Sequence, residues 1–195
     1  MNEFDYIEKY FKPLTNEVAR NLSDDAAVFK QRSKYDLVVS TDTLAEGIHF
    51  FGNENPKDIA KKAAETMWQK DRSSKWVGLK MEQVDVGEAT LSLEVQQHHT
   101  NGHDICHGGI IFMLADTAFA LACNSRNQAT VAQHNTITFI KSAILGDNLV
   151  AHAREISVSG RTGIYDVTVK NKRADVIAEF RGCSRTINGQ IFNED

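Results

Sequence analysis

Apolar residues in this chain follow two rhythms. At the start, Phe4, Ile7, Tyr10 and Phe11 recur at helical spacing in EFDYIEKYFKPL until Pro13, which lacks the N–H a helix needs, stops the pattern. Two strand-like runs follow, AAVFKQ and YDLVVSTDTL, the second ending near GIHFF. The polar segment GNENPKD at 52–58 signals a turn, and Pro56 suits the first turn of a helix predicted from about Lys57 to Asp71. From Trp76 onward the period is two. Leu79, Met81 and Val84, then Ala89, Leu91, Leu93 and Val95, flank a turn at Asp85–Glu88 and predict a hairpin with one buried face. The stretch from about His107 to Asn124 is apolar all the way round and predicts a helix. Strand patterns return in TVAQHNTITFIKSA, DNLVAHAREISVS, GIYDVTVKNK and ADVIAEFRGCSRTI, separated by LGD, SGRTG and NKRAD turns. One long apolar helix with five or six antiparallel strands makes an α+β fold in which a sheet wraps a central helix.

Composition narrows the function classes. With 195 residues and 42% apolar content the chain can build a real core, and both of its prolines, Pro13 and Pro56, fall in the first third, which suggests two regions. A net charge of −4 with no Lys/Arg block gives no footprint for nucleic acid or an anionic membrane. Cys106, Cys123 and Cys183 are odd in number and widely spaced, which argues against a disulfide framework and fits a reducing cytoplasm. The charged N-terminal MNEFDYIEKYFKPL has no apolar core of signal length, and no apolar run is long enough to span a bilayer.

The chemistry concentrates in CHGGIIFMLADTAFALACNS, residues 106–125, where one carboxylate, Asp116, interrupts the most apolar helix of the chain. A buried unpaired carboxylate is costly, so it needs either a hydrogen-bond network or a task. One reading holds it structurally through Thr117 and neighbouring hydroxyls; the other makes it a general base or nucleophile. The second is favoured by His107-Gly108-Gly109 at the helix start, where free amides and the helix dipole suit a developing oxyanion. Gly109, Phe112 and Asp116 share a helix face. His98, His99, His103, Cys106 and His107 fall within ten residues and are zinc-type ligands, but strand alternation would turn His98 and His99 to opposite sides, so no metal is assigned. Cys106 reads either as a thiol acidified by the helix dipole or as a small packed residue; Cys123 and Cys183 read as core, and His134 and His152 as strand residues without chemistry.

The segment NGHDICHGGIIFMLADTAFALACNS, with TITFIK, GRTGIYDVTVKN and EFRGCS downstream, resembles the hotdog-fold acyl-CoA thioesterases of the phenylacetate-degradation (PaaI-like) group over residues 62–190. The resemblance implies a hotdog fold, homodimers that usually form tetramers, active sites between two subunits, and hydrolysis of aryl- or acyl-CoA thioesters. It implies no cofactor beyond the coenzyme A of the substrate. Position by position, Asp116 matches the helix carboxylate that acts across the dimer interface, and Gly108 the residue whose N–H polarises the thioester carbonyl. His107 matches the adjacent histidine, and Asn101 the asparagine that orients water and acyl group. Gly109 and Thr117 join them as substrate-side candidates, and Lys141, Gly160, Arg161, Thr162 and Arg181 (with Gly182) as candidates for the CoA side. Lys141 departs from the family's usual arginine-proline, since the chain reads FIKSAILGD.

Residues 1–61 resemble the N-terminal part of thiamine-monophosphate kinases through SDDAAVF, VVSTDTLAEGIHF and PKDIAKKA. The resemblance implies that Asp24, Asp25 and Ser40 to Thr43 match magnesium- and phosphate-binding positions and His49 a substrate neighbour, although Ser23 stands where glycine is usual. A kinase needs several hundred residues, so this segment is a truncated small α/β extension on a thioesterase domain at 62–195. Three functions compete: a thioesterase, a kinase fragment that binds nucleotide without turnover, and a non-catalytic acyl-CoA-binding or interaction protein on the hotdog core. A buried Asp116 favours the first over the third, and the truncation favours it over the second.

Overall fold

The computed structural model describes residues 7–14, 26–29, 37–40 and 55–193. The chain divides into two compact units, residues 1–53 and 54–195. In the first, a π-helical turn at Ile7–Phe11 tightens into a 3₁₀ turn at Lys12–Leu14, so the described part of the expected amphipathic helix is irregular around Pro13. β1 (Ala26–Phe29) and β2 (Leu37–Ser40) pair antiparallel, Ala26 opposite Ser40. Of the kinase-like candidates, Ser40 ends β2; Asp24, Asp25, residues 41–43 and His49 lie outside the described residues.

The second unit opens with α1 (Pro56–Lys70). Asn55 caps it by accepting from the Lys57 N–H at 3.0 Å, and Pro56 occupies the first turn, where a missing N–H costs nothing. The helix is continuous through 61/62, where the sequence placed the junction; the two units meet instead at 53/54. Asp71 ends α1 and caps α2 (Arg72–Val77), which stops at Gly78 in the left-handed region, φ 84°.

The sheet has six antiparallel strands: β3 (Lys80–Asp85), β4 (Glu88–Glu94), β5 (Gln128–Phe139), β6 (Asn148–Ser159), β7 (Thr162–Asn171) and β8 (Val176–Gln190), in the spatial order β3-β4-β6-β7-β8-β5. A bulge in β3 between Met81 and Gln83 reconciles the three-residue step from Met81 to Val84 with a single inward face. Gly87, φ 73°, makes the β3–β4 turn, and a Cβ there would sit 3.0 Å from the Glu155 Cβ.

α3 (Gly108–Cys123) packs against all six strands of the sheet. Leu91, Leu93, Ala151, Ala153, Val167, Val169, Ala178 and Phe180 meet Ile111, Leu114, Ala115, Ala118, Phe119 and Ala122 in one core. Alanines at 115, 118 and 122 allow close approach to the strands, and each large buried side chain contributes about 1.5–3 kcal/mol. The helix is apolar all round because α1 and α2 pack against it as well. Among the described residues, no helix is long and apolar enough to cross a membrane.

Candidate active site

The start of α3 is built by local hydrogen bonds. Asn101 accepts the His103 N–H on its side-chain Oδ1 at 2.9 Å, an Asx turn that folds the loop back so that Thr100 bridges Cys106. The Cys106 N–H bonds the Ala143 carbonyl and the His107 N–H the His99 carbonyl, both at 2.8 Å. His107 is the N-cap: its Nδ1 accepts the Gly109 N–H at 2.9 Å, which leaves the proton of the neutral ring on Nε2. The Gly109 amide is thereby engaged. Gly108 supplies the first helical N–H, which has no acceptor within the helix. A Cβ at Gly108 would lie 3.0 Å from the Phe139 ring, so the bare backbone is needed for that approach. Asn101, Ile105, Gly108, Ile111, Phe139 and Lys141 are among the residues lining a cavity of about 280 Å³.

Asp116 lies eight residues further on, about 12 Å along the helix axis. It is half-buried and faces a different cavity, of about 440 Å³, shared with Met67, Trp68, Lys70, Asp71 and Thr117. Burial raises its pKa above the ordinary carboxylate value; a hydrogen bond from Asn135 acts in the opposite direction. That bond, Asn135 Nδ2 to Asp116 Oδ1, is 2.7 Å long. Thr117 is not the acid's partner. Ser74 donates to Asp71 Oδ2 at 2.6 Å, so at the 3.3 Å contact between Ser74 and Thr117 it is Thr117 that donates, joining α3 to the cap of α2. Within one protomer, therefore, Asn101, His107, Gly108 and Lys141 gather at one end of the helix and Asp116 stands apart.

The remaining candidates scatter. Lys141 lines the Gly108 cavity while pairing with Asp175 at 2.9 Å. Gly160 and Arg161 form the two-residue β6–β7 turn ahead of Thr162, and Arg161 Nε donates to the Thr186 carbonyl at 3.0 Å. That turn sits at the Thr162 end of β7, and Lys141 beside the Asn171 end, about 30 Å apart along the strand. Arg181 is bound in two-pronged fashion to Asp166, at 2.7 and 2.9 Å, so its guanidinium is already engaged.

His98 and His99 belong to a 3₁₀ turn at Gln97–His99, not to a strand, with rings 4.1 Å apart. Among the described residues no three His, Cys, Asp or Glu side chains are placed to hold a metal ion. Burial and the nearby Asp147 push the Cys106 thiol up to about 11, the opposite of activation by a helix dipole. Cys123 is buried, whereas Cys183 is only half-buried. Asn135 escaped the sequence reading, and Gly182, offered there for the CoA side, plays a packing role. Asn135 shares the period-two face of Ile137, a signal that turns its amide toward the helix. Gly182, directly across from Asn135, makes room for the Phe119 ring, which a Cβ would meet at 2.8 Å.

Comparison with known proteins follows this geometry. Residues 103–178 match the thioesterase superfamily, and residues 23–69 match the N-terminal domain of AIR synthase related proteins. The acyl-coenzyme A thioesterase PaaI of Escherichia coli is 40% identical over 131 residues, which is 67% of this chain and 94% of that protein. The solved structure of the E. coli PaaI protein from the phenylacetic acid degradation operon superposes with a TM-score of 0.69 at 38% identity, covering 70% of this chain and 99% of that one. The thiamine-monophosphate kinase of Caulobacter vibrioides is 42% identical over 77 residues, which is 32% of this chain and only 22% of the kinase. The kinase-like match thus runs past 61/62 and into α1.

Proposed function

Because this chain belongs to the PaaI group of hotdog-fold acyl-CoA thioesterases, with a kinase-like segment fused ahead of it, we propose that its substrates are aryl-acyl-CoA thioesters such as phenylacetyl-CoA and its hydroxylated analogues. We place it in the cytoplasm as a homodimer pairing into a homotetramer, with Asp116 of one subunit and Gly108 of the next forming each active site. The observation that carries this reading is the separation of the two half-sites on α3. A carboxylate about 12 Å from the oxyanion amide cannot act on the same carbonyl within one chain. An edge of the sheet supports it: the edge strand β5 is twelve residues long, Val131 and Phe139 in it are 46% and 50% exposed, and Ile140 just beyond its end is 58% exposed. Ile105, Ile111, Phe139 and Ile140 beside Gly108 suit an apolar acyl group.

In this mechanism the Gly108 N–H and the dipole of α3 polarise the thioester carbonyl while Asn101 orients the reactants. Asp116 takes a proton from water as the water oxygen attacks the carbonyl carbon, and the carbonyl electron pair moves onto oxygen. Re-formation of the carbonyl breaks the C–S bond; coenzyme A leaves as thiolate and takes up the proton from Asp116, giving free acid and thiol. No cofactor enters. His107 holds the amide geometry through Gly109, and Lys141, in the Gly108 cavity, meets the CoA portion.

Thiol release from phenylacetyl-CoA, hydroxyphenylacetyl-CoA and a medium-chain acyl-CoA tests the substrate class; higher kcat/KM on the medium-chain ester would remove the aryl assignment. Mixing inactive subunits tests the shared site. Equal amounts of Asp116→Asn and Gly108→Pro chains, dissociated and reassembled, place one intact site in each mixed dimer and should recover about a quarter of wild-type turnover. No recovery would put both groups in one chain's site.

A further inference from the structure

Asp116 accepts one hydrogen bond from a described side chain, and the donor lies outside the helix. Asn135 reaches in from β5 and donates Nδ2 to Asp116 Oδ1 at 2.7 Å. Its own Oδ1 is buried and has no partner among the described residues. A buried amide oxygen left unpaired costs free energy, so the amide is held in place by something other than its own satisfaction. Its register is fixed by the sheet: Asn135 pairs with Gly182, whose missing side chain leaves room for Phe119, one turn beyond Asp116 on the same helix. Asp116 Oδ2 receives no such bond among the described residues, so the two oxygens of the carboxylate are inequivalent.

We infer that Asn135 is a positioning residue for thioester hydrolysis: its amide fixes the Asp116 carboxylate so that Oδ2 is the oxygen that receives the proton from water. The inference rests on the base role proposed above for Asp116. The same bond stabilises the ionised form and opposes the upward pull of burial, which keeps a half-buried carboxylate available as a base near neutral pH. Among the described residues no other side chain hydrogen-bonds the acid. α1 and its end bring Lys70 and Asp71 to the shared cavity, α2 brings Ser74 through Thr117, and Cys123 lies on α3 itself. The inward residues of β4 are apolar; on β6 Glu155 accepts the Tyr165 hydroxyl of β7 at 3.0 Å and pairs with Arg126, and on β8 the buried Ser184 hydroxyl donates to the Gly163 carbonyl at 3.5 Å.

The test titrates Asp116 directly, by carboxyl ¹³C NMR of the full-length protein, alongside the pH profile of kcat/KM. Asn135→Ala should raise the Asp116 midpoint and the acid limb together by about one unit and lower kcat about tenfold at pH 7, with KM changed less than about twofold. Asn135→Ser, whose hydroxyl can donate, should recover part of both shifts. Asn135→Asp, close in shape but charged, should raise the midpoint further, which keeps the test decisive should the alanine variant fold poorly. An Asp116 midpoint and acid limb unmoved in these variants would overturn the inference. If Asp116→Asn retains full turnover, the base role itself fails and this inference with it; if Asp116→Asn is inactive and the midpoint does not move, only the role of Asn135 fails.

Discussion

The two ends of the functional stretch of α3 are made of different material. At Gly108 the groups proposed to act are main-chain amides, positioned within ten residues of sequence by an Asx turn, a histidine cap and two glycines. At Asp116 the group proposed to act is a side chain in a half-buried setting, and its hydrogen-bond donor comes from a strand nineteen residues away. The amides of the first half-site are presented by local sequence, tied to the rest of the fold where the Cys106 N–H bonds the Ala143 carbonyl. The second depends on strand register, on Gly182 opposite Asn135, and on the cavity edge given by α1. Backbone chemistry is robust to surface change, whereas carboxylate chemistry is set by whatever the fold packs around it.

Substitutions can break this contrast, and the largest effect belongs to the acid. Asp116→Asn should cut thiol release by about 10²–10⁴-fold while leaving binding of CoA nearly intact, measured by turnover and calorimetry. Next comes the amide: Gly108→Pro deletes the N–H at the first helical position, where proline is tolerated, and His107 already has the extended φ −62°, ψ 133° that precedes proline. It should cost about 10²–10³-fold in kcat, and pairing it with Phe139→Ala, which clears the ring from the added carbons, should not restore the rate. His107→Ala removes the cap and should lower unfolding free energy by about 1 kcal/mol in urea titration, with a smaller loss of rate than either substitution above.

The acid also leaves a thermodynamic signature that the amide lacks. Because the folded Asp116 pKa is raised, between the ordinary carboxylate value of 3.8 and the folded value the native chain keeps a proton that the unfolded chain has released. Stability from this group is therefore present at low pH and lost as pH rises through that window; Asp116→Asn should flatten that part of a pH–stability curve. The smallest effect concerns the extension. A chain starting at Glu54 keeps the Asn55 cap and α1 and should retain turnover within about twofold, with no phosphate transfer to thiamine monophosphate by the full chain. Loss of assembly in sedimentation would assign residues 1–53 to the interface instead.

Much of this was legible in the residues. The apolar rhythm located α3 to within a residue at each end and found every strand of the sheet, though it ran four residues past the end of β5 and stopped three short of the end of β8; HGG and Asp116 are the residues from which the proposed half-sites are built. Misreadings have specific causes. His98 and His99 follow a strand and were read as continuing it, but the chain turns at Gln97 into a 3₁₀ segment. The pairing of Arg181, offered as a CoA-side candidate, is invisible in local spacing because its partner Asp166 lies fifteen residues earlier, on the neighbouring strand β7. Of the two readings of Cys106, the small packed residue agrees with its burial, because desolvation outweighs the dipole. The kinase-like segment appeared to end at 61, whereas α1 carries the resemblance onward and packs Ala60 and Ala64 into the thioesterase core.

By itself the sequence determined the element order, the caps, the glycine positions and the presence of one acid in an apolar helix, because each follows from backbone geometry and hydrophobic period over a few residues. Only the tertiary structure decided which partner that acid takes, which cations are already paired, and that the acid and the oxyanion amide open into separate cavities. Those outcomes depend on side chains brought together from distant strands and on how much water the packing excludes, and neither quantity is written in local spacing.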